Sequence, residues 1–95
     1  MKTFNEVMNK HKDNLELYVP VVERVHGPSH PVFYDVKKEY DAMVEKVNSD
    51  ELVELKGNFE SLRKITDNYT VPSDTCETYE AVYTMLQELD QAYTE

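Results

Sequence analysis

The side chains of this 95-residue chain that could do chemistry are few: three histidines, one cysteine and 19 Asp and Glu. Two histidines fall in one short stretch, Val25-His26-Gly27-Pro28-Ser29-His30-Pro31. Imidazoles four residues apart can share a metal ion when they stand on one helix face. Here Gly27-Pro28 lies between His26 and His30, so they do not stack as ligands on one helix. The stretch reads as a helix stop, a turn and a helix start. His11 falls on an apolar stripe, where a core histidine with a hydrogen-bond partner is commoner than a ligand. A Cys-His nucleophile pair needs Cys76 to meet a histidine in space. Cys76 is expected on the apolar stripe of the last helix, where a buried, inert thiol is the commoner state. Carboxylates such as Glu77, Glu80, Glu88 and Glu95 are expected on a solvated polar face.

The apolar residues that must position these groups recur at helical spacing in four blocks. The first is Phe4, Val7, Met8, His11, Leu15, Tyr18, Val22 and Val25. The second is Phe33, Val36, Tyr40, Met43, Val44 and Val47. The third is Leu52, Leu55, Phe59, Leu62, Ile65 and Tyr69. The fourth is Cys76, Tyr79, Val82, Tyr83, Leu86, Leu89 and Tyr93. Each block gives one helix a sticky stripe. Thr3 with Glu6 and Asn48 with Glu51 have the capping-box spacing. Gly27 stops the first helix, His30-Pro31 starts the second, and Pro72-Ser73-Asp74 separates the third from the fourth. Pro20 is expected to kink or split the first helix near Tyr18. Gly57, inside the third, marks either a close helix crossing or a tolerated cost of about 1 kcal/mol. Short connections make sequential helices antiparallel, so the expectation is all-α: one domain, 1–95, folded as an up-down-up-down four-helix bundle.

Composition narrows the function classes. The net charge is -9 and uneven: residues 49–95 hold three Lys and Arg against eleven Asp and Glu, with none basic after Lys64. Nucleic acid is not an expected partner, because phosphate binding needs a basic face. An acidic face can attract a basic protein surface or a cation, although keeping the protein soluble is its commoner role. No apolar run approaches the roughly 20 residues that cross a membrane, and no secretory leader is apparent. A cytoplasmic location is expected, in keeping with a single cysteine and no internal disulfide. There is no Gly-rich phosphate loop and no catalytic constellation, so the chain is not expected to be an enzyme.

Two segments resemble a known family. Val21-Val22-Glu23-Arg24-Val25-His26-Gly27-Pro28-Ser29-His30-Pro31 is similar to the "KV-x-x-VHG-x-x-HPEL" signature of the Ric family, hemerythrin-like di-iron proteins linked to repair of iron–sulfur clusters after nitrosative and oxidative damage. Leu62-Arg63-Lys64-Ile65-Thr66-Asp67-Asn68-Tyr69-Thr70-Val71-Pro72-Ser73-Asp74-Thr75-Cys76-Glu77-Thr78-Tyr79 resembles its "IR-x-LT-x-x-YTVP-x-x-AC-x-TY". Glu80 to Asp90 continues in the same style. The resemblance covers about half of the chain, in the family's order, and implies a hemerythrin-like bundle and a role in the stress response. His26, Gly27, His30 and Pro31 form the family-signature turn.

The family's iron ligands do not carry over. They are single histidines on the first and third helices and His-x-x-x-Glu motifs late on the second and fourth. Here Val44-Glu45-Lys46-Val47 leads straight into the next cap, and Leu52 or Val53 stands in place of the third-helix histidine. Glu95 stands about where the last motif would begin. The family's small Cys-containing N-terminal domain has no counterpart. His11 could substitute for the first-helix ligand, but it lies too close to His26 for a direct match. Iron is therefore compatible with the scaffold but lacks a complete ligand set, with His11, His26 and His30 the candidate metal ligands. Three readings follow: a Ric-like iron-handling protein with a degenerate or absent di-iron site; a metal-free helical interaction module, acting as a homodimer or on a protein partner; and, last, an enzyme with its own small-molecule site. A homodimer could also assemble a different site from these histidines and carboxylates across its interface.

Overall fold

The computed structural model describes residues 4–48, 55–73 and 75–94. They form four helices: α1 (Phe4–His26), α2 (Val32–Asn48), α3 (Lys56–Ile65) and α4 (Glu77–Thr94), with no strand among the described residues. Phe4 at the start of α1 meets Tyr93 at the end of α4, while His26 at the end of α1 meets Tyr79 at the start of α4. Those helices are therefore antiparallel. Lys46, late in α2, bonds Asn58, early in α3. Phe59 and Arg63 of α3 meet Tyr93 and Asp90 of α4 in reverse order. The expected all-α, up-down-up-down four-helix bundle is the observed one, with α1 packed chiefly on α4 and α2 on α3.

The apolar stripes fill the core. Leu15, Val19 and Val22 of α1 face Phe33, Val36 and Met43 of α2, with Phe59, Leu62, Val82, Leu86 and Leu89 from the other two helices, all of them buried. Each fully buried large side chain contributes roughly 1.5–3 kcal/mol. Val25 departs from expectation: it is 59% exposed. The inward positions of α1 run Leu15, Val19, Val22, so the next inward position is His26, not Val25. Met85 is buried on α4 where no stripe position was expected.

The helix ends differ more. α1 passes Pro20 without a break. Pro20 and Glu16 are both exposed, so the Glu16 carbonyl that loses its donor can bond water instead. Gly27 does close α1, but not through a left-handed conformation, since no glycine has positive φ. It is required by space: a Cβ would lie 2.3 Å from the Glu23 carbonyl oxygen and 2.7 Å from the Tyr34 ring. The Gly27 N–H donates to Glu23 O, and the Ser29 and His30 N–H groups donate to His26 O. The His30 carbonyl then accepts from Phe33 N–H, starting α2. Gly57 has open space at its Cβ position, so it marks no close crossing. The caps at Thr3 and Glu51 lie outside the described residues, and Asn48 is the last residue of α2 rather than a described cap.

α3 stops at Ile65 and does not run to Pro72 as expected. Thr66 ends it: its hydroxyl donates to Leu62 O at 2.6 Å and accepts from Tyr69 N–H at 2.8 Å. Asp67, Asn68 and Tyr69 then adopt left-handed φ values of 53°, 59° and 63°. Asp and Asn tolerate this; for Tyr69 it costs roughly 1–2 kcal/mol. The Tyr69 hydroxyl offsets that cost by donating to Asp90, which also receives two bonds from the Arg63 guanidinium. No helix among the described residues is long and apolar enough to cross a membrane.

Candidate functional site

The end of the bundle that holds the α1–α2 turn collects two of the three histidines and the cysteine. His26 is the last residue of α1, and Cys76 immediately precedes α4. Because α1 and α4 are antiparallel, these two positions meet: His26 Nε2 lies 3.1 Å from Cys76 Sγ. The expected placement of Cys76 on a buried stripe is overturned, for the thiol is exposed. The cause is the later start of α4. The apolar stripe begins at Tyr79, while Cys76 accepts the first-turn bond from Glu80 N–H through its carbonyl.

Tyr79 is the floor of this region. Its fully buried ring receives His26 edge-on at 5.5 Å and His30 at 5.8 Å between ring centroids. Phe33 and Tyr83 close the ring cluster at 5.2 and 4.8 Å from Tyr79. The Tyr79 and Tyr83 hydroxyls are hydrogen-bonded to each other at 3.0 Å. Burial, and then the bond to Tyr79, push the Tyr83 phenol well above its ordinary value, so it stays neutral. Edge-to-face contacts of this kind contribute about 0.5–1.5 kcal/mol each and fix ring orientation. Both imidazoles of the signature turn are thus held by one tyrosine, with Gly27 and Pro28 in the backbone between them and Pro31 just after His30.

His11 stands elsewhere. It is buried on α1, fifteen positions before His26, which on an unbroken helix is roughly 22 Å away. Its Nε2 pairs with the Glu88 carboxylate of α4. Beside it an open groove of about 480 Å³ follows α4, lined by Glu77, Glu80, Thr84, Met85 and Glu88. Glu77 and Glu88 are three helical turns apart, roughly 16 Å, so these carboxylates do not converge.

Of the three candidate metal ligands, the structure therefore brings His26 and His30 to one ring and leaves His11 apart. Glu23 stands three residues before His26, a carboxylate–imidazole spacing of one helical turn. Glu23 acts electrostatically on Lys37 of α2, whose ammonium is held above its ordinary range chiefly by its bond to Asp41. Among the described residues no three His, Cys, Asp or Glu side chains are grouped to hold a metal ion. A di-iron centre does not fit these residues, because each iron needs several such ligands around it.

Asp90 is the other polar residue that the sequence did not signal. It is 4% exposed and anchors Arg63 and Tyr69. Burial, and then its bond to Asp90, hold the Tyr69 phenol far above the usual value.

No family model and no solved structure matches the chain. Among curated proteins it is 27% identical to the iron-sulfur cluster repair protein ScdA of Staphylococcus haemolyticus, over 121 aligned positions that take in 93% of its residues. The chain spans 54% of that relative's length. It is thus similar, distantly but along nearly all of its residues, to a protein of iron–sulfur cluster repair.

Proposed function

We propose that this chain is a small Ric-like protein that assists iron–sulfur cluster repair without an autonomous di-iron centre of its own. The observation that carries this reading is the likeness to an iron–sulfur cluster repair protein along 93% of the chain. The four-helix architecture agrees with it. The absence of a grouped ligand set among the described residues supports the second half of the reading. The test joins two measurements on untagged protein. In an anaerobic ferrous titration the chain alone takes up well under one iron. Added to an oxidatively damaged [4Fe–4S] enzyme with ferrous iron and a thiol reductant, it speeds recovery of activity. Recovery at the unassisted rate would overturn the repair role; stoichiometric iron with a new absorption band would overturn the degenerate centre.

A metal-free interaction module is the second reading. Exposed apolar side chains favour it: Leu17 and Val25 on α1, Val32 and Tyr34 on α2. A homodimer or a complex with another protein would cover them, and light scattering of the purified chain reads the first directly. A strict monomer that retains no partner in a pull-down would count against it.

A further inference from the structure

We propose that Cys76 and His26 form a nucleophile–base pair that makes Cys76 a site of thiol–disulfide exchange with small uncharged or cationic disulfides. A thiolate is the attacking species in such exchange, so a thiol gains reactivity when a base stands ready for its proton. His26 meets that requirement from a separate helix, with Nε2 at 3.1 Å from Sγ. A third group holds the base in place: the buried Tyr79 ring, met at 5.5 Å and an interplanar angle of 87°. Nucleophile, base and orienting group are the three parts of an activated nucleophile. The thiol is exposed, so a disulfide can approach from solvent. It also precedes the first turn of α4, where the partial positive charge of the helix terminus favours an anion. Glu77 and Glu80 occupy that same turn and disfavour a negatively charged reactant.

The step balances. With its proton on Nδ1, His26 accepts the Cys76 S–H proton at Nε2. The sulfur attacks one sulfur of the disulfide, a new S–S bond forms at Cys76 and the old S–S bond breaks. The departing thiolate takes the proton from the imidazolium and leaves as a free thiol. The small disulfide is the oxidant and Cys76 ends as a mixed disulfide. Cys76 is the chain's single cysteine, so no internal thiol resolves the product. The mixed disulfide persists until an external thiol arrives. This exchange needs no iron and stands or falls separately from the repair function.

The experiment follows adduct formation by intact-mass spectrometry, using bis(2-hydroxyethyl) disulfide at neutral pH on the full chain. The folded protein reacts about tenfold or more faster than the same chain unfolded in guanidinium. His26→Gln, checked as folded by circular dichroism, falls to within about twofold of the unfolded rate. A folded rate no higher than the unfolded one overturns the proposal, and so does a His26→Gln rate equal to that of the unaltered protein. If His26→Gln does not fold, the folded-to-unfolded ratio of the unaltered chain decides. The double substitution Glu77→Gln and Glu80→Gln raises the rate with anionic dithiodiglycolate severalfold while leaving the neutral probe within about twofold. No such gain would remove the charge selection.

Discussion

The two ends of the bundle are built alike and equipped differently. At one end Phe4, Phe59 and Tyr93 interlock, with ring centroids 5.3–6.2 Å apart. At the other Phe33, Tyr79 and Tyr83 do the same at 4.8–6.3 Å. Only the second carries two imidazoles on its rings and an exposed thiol beside one of them. What the comparison teaches is that similar ring trios can carry different chemistry: the second sets an imidazole and an exposed thiol within hydrogen-bond reach of each other.

The largest effects test that difference. Tyr79→Ala and Phe59→Ala each empty a ring site in the core and should each cost about 3–5 kcal/mol in urea unfolding. Only Tyr79→Ala should also lower the reactivity of Cys76. Equal reactivity in the two variants would erase the distinction between the ends.

Alkaline pH gives the next largest effect. Tyr83 at the second end, Tyr69 in the α3–α4 connection and Tyr40 on α2 all have phenols raised by burial first. The folded state holds their protons more tightly than the unfolded chain does. Their stabilisation is therefore complete below the ordinary phenol value near 10 and is lost as pH rises above it, by about 1.4 kcal/mol per pH unit for each tyrosine. Melting temperatures should be unaffected by these groups at pH 8–9 and fall steeply above 10.

The two glycines divide in sign. Gly27→Ala forces a methyl group against the Glu23 carbonyl and the Tyr34 ring and should cost about 1–3 kcal/mol. Gly57→Ala meets nothing within 4 Å and should stabilise by roughly 0.5–1 kcal/mol, read as a higher denaturation midpoint. A neutral Gly27→Ala would show that the signature turn is looser than its geometry implies.

The helices themselves were legible from periodicity because each has a single buried stripe. Tyr79, Val82, Tyr83, Leu86 and Leu89 fall where the spacing places them. Helix ends were less legible. The stop at Ile65 depends on the Thr66 hydroxyl and on a buried partner, Asp90, that lies 21 residues beyond Tyr69. No local pattern encodes that pairing. The Cys76–His26 contact spans 50 residues, yet it had a signal. In an up-down-up-down bundle the end of the first helix and the start of the fourth share one pole, so His26 and Cys76 were bound to be neighbours once Cys76 was placed before its helix. Counting Cys76 as the first member of the stripe hid it.

The clasp of Asp90 on Arg63 and Tyr69 also makes the end of one helix depend on another. α3 spans ten residues, fewer than the roughly 12–15 that a helix needs to persist alone in water. Its C-terminal boundary, with the three left-handed residues that follow, is secured by a carboxylate on α4. Without α4 against α3 that carboxylate is missing, and the backbone after Thr66 keeps only its local bonds, such as Tyr69 N–H to the Thr66 hydroxyl. The end of α3 and the connection to α4 thus draw their hold from a residue of the helix that follows, so the two helices are tied by the clasp as well as by their packing.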